Sequence, residues 1–271
     1  KGVETYGDFR KLPARKDVDA VVIATPDHWH AIPVVEAARA KKDLYCEKPL
    51  SLTIREARVM ADTVKKEGVI FQTGSQQRSE CGGRFHRACE LVRNGRIGEV
   101  KTVHVGVGGP SRECNLPEQP APKDADWNMW LGPAPLRGYH EALCPRGVHG
   151  HYPAWRNYKP YSGGGMTDWG AHHFDIAQWG LGMDESGPVE VHAPDGKEFK
   201  RLTYRYANGV VMYHGGANGV LFTGTKGKIE VNRGLLRSDP GGILNEKIGD
   251  DEIRLYKTGH HMRNWVECIR S

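Results

Sequence analysis

Apolar and polar positions follow two different patterns along this chain. The run Asp19-Ala20-Val21-Val22-Ile23-Ala24 is almost unbroken in apolar residues, as in strands buried on both faces of a parallel sheet, and it stops at Thr25-Pro26. From about His30 to Lys42 apolar residues recur at helical spacing, Ile32, Val35 and Ala38 among them, and a short strand is expected at Leu44-Tyr45-Cys46. Strand, helix and strand in so short a span make a βαβ unit. The pattern repeats: Ser51 or Thr53 can cap a helix through about Lys66, Gly68 closes it, and Val69 to Thr73 is the next buried strand. A further helix is expected from about Gly83 to Arg93, closed by Asn94-Gly95.

After Gly98 the period changes. Glu99 to Gly106 alternates, with Val100, Thr102 and His104 on one face and Lys101, Val103 and Val105 on the other. It leads into a stretch of about fifty residues rich in Pro, Gly, Trp and His, a length that in a compact domain is usually functional or a lid. A helix is expected from about Asp168 to Gly180, then strands near Val189-His192, Phe199-Tyr206, Val210-His214, Gly219-Gly224 and Lys228-Asn232. Asn208-Gly209 and Asn218-Gly219 are hairpin signals, so this half is expected to form an antiparallel sheet. The expected fold is α/β: a doubly wound parallel domain over residues 1–98, then an α+β domain over residues 99–271.

Composition removes several function classes. With 271 residues, 38% of them hydrophobic, the chain can build proper cores. The net charge of +5 is scattered, so no nucleic-acid patch is expected. No apolar stretch approaches the roughly 20 residues a membrane helix needs. Six cysteines without a CxxC pair read as ordinary thiols.

A doubly wound domain holds a dinucleotide's pyrophosphate on a glycine-rich turn between a strand and a helix. Gly106-Val107-Gly108-Gly109 follows a strand but runs into Pro110-Ser111, which reads as an ordinary loop. Gly163-Gly164-Gly165 precedes a helix and could hold an anion, although no strand leads into it. The opening Lys1 to Tyr6 would suit the end of a βα unit begun upstream, so the chain is expected to be an internal piece, inactive by itself, whose compartment stays open.

Three groups carry candidate chemistry. Glu47-Lys48-Pro49 stands directly after a strand, at the carboxyl edge where open α/β sheets place ligands, and Pro49 biases Lys48 toward an extended backbone. An ammonium there can hold the oxygen of an alcohol as hydride leaves its carbon; the alternative is a solvated ion pair. Asp168, His172 and Asp175 recur at helical spacing, so a carboxylate can orient an imidazole as a proton acceptor; the alternative is a buried structural network. Trp127, Trp130, Tyr139, Tyr152, Trp155, Tyr158 and Tyr161, interleaved with Arg137, Arg146 and Arg156, suit a sugar ring or else a local core. The pairs His28/His30, His149/His151, His172/His173 and His260/His261 invite a metal reading, but no carboxylate stands at a metal-ligand spacing, and no metal is expected.

Taken together, Ala24-Thr25-Pro26-Asp27-His28-Trp29-His30, Glu47-Lys48-Pro49 and the stretch from Gly163 through Asp168-Trp169-Gly170-Ala171-His172-His173-Phe174-Asp175 resemble the Gfo/Idh/MocA oxidoreductase family over nearly the whole chain. The resemblance implies a Rossmann domain, here lacking its first βαβ portion, and a C-terminal domain with an open antiparallel sheet that forms a dimer or tetramer. It implies NAD or NADP bordered by Thr25, Pro26, His28, Trp29, His30, Glu47, Lys48, Gln76 and Arg78. It places Trp155, Arg156, Asp168 and His172 at the substrate, with Lys48, Asp168 and His172 catalytic. The implied reaction is hydride transfer between the nicotinamide and a secondary alcohol of a sugar, glycoside or inositol. The alternatives are a redox-neutral glycosidase or lyase of the same fold and a non-catalytic sugar-binding module.

Overall fold

The computed structural model describes residues 2–147 and 152–271. In chain order its elements are β1 (Ala20–Ile23), α1 (Ala31–Arg39), β2 (Asp43–Cys46), α2 (Ile54–Glu67), β3 (Phe71–Thr73), α3 (Arg84–Arg93), β4 (Val100–Val105), α4 (Trp127–Leu131), α5 (Gly165–Asp168), α6 (Gly170–Leu181), β5 (Glu190–His192), β6 (Thr203–Arg205), β7 (Val211–His214), β8 (Val220–Gly224), β9 (Lys228–Asn232), β10 (Leu235–Asp239) and α7 (His261–Arg270). They form two compact units, one of residues 1–74, 109–168 and 265–271, the other of residues 75–108 and 169–264.

The first unit is built on a parallel sheet in the order β1-β2-β3, with Val21 opposite Leu44 and Leu44 opposite Phe71. Ile23, Val34, Ala37, Ala38, Leu44, Cys46 and Met60 bury together as its core. Thr53, not Ser51, starts α2: its hydroxyl accepts from the Glu56 amide while the Glu56 carboxylate accepts from the Thr53 amide. Gly68, at φ 68°, closes the helix in the left-handed region, where a side chain would be strained. The long excursion between the domains' regular elements makes a small core of its own. Leu131, Leu143, Trp155, Tyr158 and Tyr161 bury together, and Trp127 stacks on Trp130 at 4.7 Å. Most of its aromatics are therefore packing, whereas Tyr152 stays 58% exposed.

The second unit is a seven-stranded sheet in the order β10-β9-β8-β4-β7-β6-β5, against which α3 and α6 pack through Phe85, Leu91, Ile176 and Phe222. Asn208-Gly209 does turn a hairpin, β6 to β7. Asn218-Gly219 does not, because β4 lies between β7 and β8 and pairs with β7 in parallel. Gly219, at φ 103°, instead gives its carbonyl to the Gly106 amide at 2.7 Å, which seats the segment across the end of β4. The strand expected from Phe199 shortens to Thr203–Arg205, since the Asp195 carboxylate accepts from the Lys197 and Phe199 amides and curls that stretch into a turn. The pattern predicted no counterpart of β10, whose run is mixed rather than alternating. Among the described residues no helix is long and apolar enough to cross a membrane. All six cysteines are free, and burial pushes the Cys46 thiol up to about 12.

Candidate functional site

Within the first unit the candidate chemistry gathers at the carboxyl edge of the parallel sheet. The strand ends are laced together: the Glu47 amide donates to Ile23 at 2.8 Å and the Gly74 amide to Cys46 at 2.8 Å. A Cβ on Gly74 would lie 2.5 Å from the Glu47 carboxylate, so only glycine there leaves that side chain its place beside Lys48. Lys48 Nζ donates to Asp168 Oδ1 at 2.8 Å and to the Asp168 carbonyl at 3.0 Å. The Arg156 Nε lies 3.6 Å from the same carboxylate oxygen. Asp168 keeps only 6% of its side-chain surface exposed, a buried charge that the two cations compensate.

Arg156 sits on a short 3-10 helix, Ala154–Asn157, with its guanidinium 4.2 Å from the Trp155 ring and 4.1 Å from the Tyr152 ring. Its Nε and Nη1 are buried without a hydrogen-bond partner, and burial holds its pKa below the usual value. Two cations thus share one carboxylate, and the Lys48 ammonium keeps one proton for a further acceptor such as a developing alkoxide.

The Thr25–His30 loop folds its three rings inward. His28 Nε2 lies 3.0 Å from the Trp130 carbonyl, and burial pushes its pKa down to about 4, so the neutral ring donates there. Trp29 Nε1 donates to that same carbonyl at 3.0 Å, and its ring leaves no room for a side chain on Gly132. His30 lies with its ring nitrogens 2.7 Å from the Pro49 carbonyl and 2.8 Å from the Thr25 carbonyl. Ala24 and Thr25 remain exposed on the loop's outer flank. Sequence reasoning passed over Asp27, which is buried and accepts from Ser162 Oγ at 2.6 Å. Burial pushes its carboxyl up to about 6, with Ser162 and His30 opposing. The only signal in the sequence was an acid inside an otherwise inward-facing segment.

In the second unit Gln76 and Arg78 lie on the 3-10 helix Gln76–Arg78. Arg78 forks onto Asp175 at 2.6 and 2.8 Å, reaches Asp184 at 2.8 Å, and stands over Trp179. Asp175 therefore serves Arg78. His172 is buried on α6, its ring centroid 6.1 Å from that of Trp169. His173 turns to the Gly106 carbonyl at 3.2 Å.

The triple glycine is not an anion cradle. Gly164, at φ 77°, lies against the Pro110–Ser111 backbone, and the Met166 amide is taken by the Gly109 carbonyl at 2.9 Å. A Cβ on Gly164 would fall 2.4 Å from the Ser111 amide nitrogen, so Gly164→Ala should destabilise the fold by about 1–3 kcal/mol. An unchanged denaturant midpoint would remove this account. Among the described residues no three His, Cys, Asp or Glu side chains gather as a metal site; His149 and His151 lie outside the described residues.

For a nicotinamide dinucleotide, the residues at the sheet edge fit the ribose and nicotinamide end: the Glu47 carboxylate would accept from ribose hydroxyls, and Thr25 is exposed just after β1. Among the described residues no glycine-rich turn joins a strand to a helix to receive a pyrophosphate.

Comparison with known proteins agrees with this architecture. The family model described as an oxidoreductase family, NAD-binding Rossmann fold, matches residues 1–75, and that described as an oxidoreductase family, C-terminal alpha/beta domain, matches residues 107–239. An uncharacterized oxidoreductase of Streptococcus pneumoniae is 27% identical over 264 residues, 94% of this chain and 66% of the relative. The 1,5-anhydro-D-fructose reductase of Ensifer adhaerens is 24% identical over 259 residues, 90% of this chain and 66% of the relative. The chain thus spans just under two thirds of the length of these relatives. In fold it is similar to the crystal structure of an aldose-aldose oxidoreductase from Caulobacter crescentus complexed with glycerol, with a TM-score of 0.60 and 21% identity, over 97% of this chain and 72% of that one.

Proposed function

This chain belongs to the Gfo/Idh/MocA family of NAD-binding oxidoreductases, and from that premise we propose that it transfers hydride between the nicotinamide and a secondary alcohol of a sugar, glycoside or inositol. The observation that carries the reading is the Lys48 ammonium 2.8 Å from the buried Asp168 carboxylate with Arg156 at 3.6 Å, at the carboxyl edge of the parallel sheet. Asp168 takes two of the three Lys48 ammonium protons, and Lys48 donates the third to the substrate oxygen as negative charge grows on it. Arg156 keeps the pair net positive, and Trp155 and Tyr152 hold its guanidinium plane in place. His172 takes the hydroxyl proton. When bound, the nicotinamide would supply the hydride acceptor, and Glu47 would accept from its ribose.

Relatives named as a 1,5-anhydro-D-fructose reductase and an aldose-aldose oxidoreductase support a sugar or polyol substrate. The test is hydride transfer itself. A panel of aldoses, glycosides and inositols deuterated at the carbinol carbon should yield reduced nicotinamide carrying the label. Sugar turnover with no net reduced nicotinamide would replace this reading with a redox-neutral glycosidase.

A further inference from the structure

His30 is 1% exposed, and both of its ring nitrogens face carbonyl oxygens, Nδ1 at 2.7 Å from Pro49 and Nε2 at 2.8 Å from Thr25. A carbonyl oxygen only accepts, so each of these contacts needs a proton on the ring nitrogen. A neutral imidazole carries one. In either neutral tautomer a bare ring nitrogen would face a carbonyl lone pair at hydrogen-bond distance.

A buried imidazolium needs a counter-charge. A candidate is Asp27, three residues earlier on the same loop and likewise buried, whose carboxylate is favoured by the Ser162 hydroxyl at 2.6 Å and by His30. Asp168 and Arg156 act on the same carboxyl with opposite signs. The two carbonyls that His30 grips belong to different strand ends: Thr25 follows β1, and Pro49 follows Lys48 after β2. One buried ring therefore ties the loop after β1 to the backbone from which Lys48 leaves the sheet.

We propose that His30 is a charged positioning residue for Lys48, an imidazolium that donates to the Thr25 and Pro49 carbonyls and so fixes where the ammonium is presented. The positioning role rests on the hydride-transfer reading above; the charge state does not. Histidine labelled with nitrogen-15 in the full protein, with the His30 signals identified by their loss in His30→Gln, reads the charge directly. Two protonated ring nitrogens at neutral pH are expected, and one protonated with one bare nitrogen overturns the proposal.

The second arm is kinetic. Glutamine can donate to one of the two carbonyls but not across the ring's width to both, so Lys48 is released on one side. A displacement of about 1 Å costs about a hundredfold in rate, and that loss is expected in kcat, with the sugar KM little changed and the melting temperature confirming a folded variant. A folded His30→Gln protein with the wild-type kcat overturns the positioning role. If the wild type shows no nicotinamide-linked turnover, the proposed function fails instead, and the nitrogen spectrum alone decides the charge.

Discussion

Lys48→Ala is expected to lower kcat about a thousandfold while the protein stays folded. Removing a donor aimed at a developing oxyanion costs on the order of a hundred- to a thousandfold, and here the donor also carries a full charge. The fold is insulated from the change because Asp168 keeps Arg156 at 3.6 Å as a remaining cation and Lys48 is not part of the Ile23–Met60 core. Lys48→Arg should recover only part of the rate: the planar guanidinium keeps the charge but not the compact geometry that meets both the Asp168 carboxylate and its carbonyl. Steady-state turnover and a melting curve on the same preparations check both variants. Near-normal kcat in Lys48→Ala removes Lys48 from the chemistry.

His172→Ala is expected to cost between about a hundredfold and ten thousandfold in kcat, the usual range for losing a positioned proton acceptor. Its neighbour makes the control. His173 is equally buried, but its Nδ1 is committed to the Gly106 carbonyl at 3.2 Å, so His173→Asn should change stability more than rate. Should the His173 variant prove the slower of the two, the roles assigned to the adjacent histidines would have to be exchanged or abandoned.

Much of the fold could be read in order along the chain. The runs ending at Ile23, Cys46 and Thr73 are β-rich and apolar enough to fill a parallel sheet, and the Thr53-x-x-Glu56 box with Gly68 marks both ends of α2. The edge position of Glu47-Lys48-Pro49 followed from the strand before it. Asn208-Gly209 and Asn218-Gly219 show where such reading stops. Both carry the same turn chemistry, yet a strand from more than a hundred residues earlier separates the two that Asn218-Gly219 would have joined. The aromatics of the long excursion were ambiguous for the same reason, since a stacking platform for a sugar and a small core have the same composition.

The candidate site divides along that line. Residue types, their order and the strand ends that carry them are local properties, set by side-chain period and by caps acting over a few residues. The pairing of Lys48 with Asp168, separated by 120 positions, and of Ser162 with Asp27, separated by 135, exists only once the chain has closed on itself. Helical spacing put Asp168, His172 and Asp175 near one face; packing then brought two cations to Asp168 and Arg78 to Asp175. A buried charge takes whichever partner the finished core brings within reach, because leaving it unpaired costs more than any preference a neighbouring turn can express.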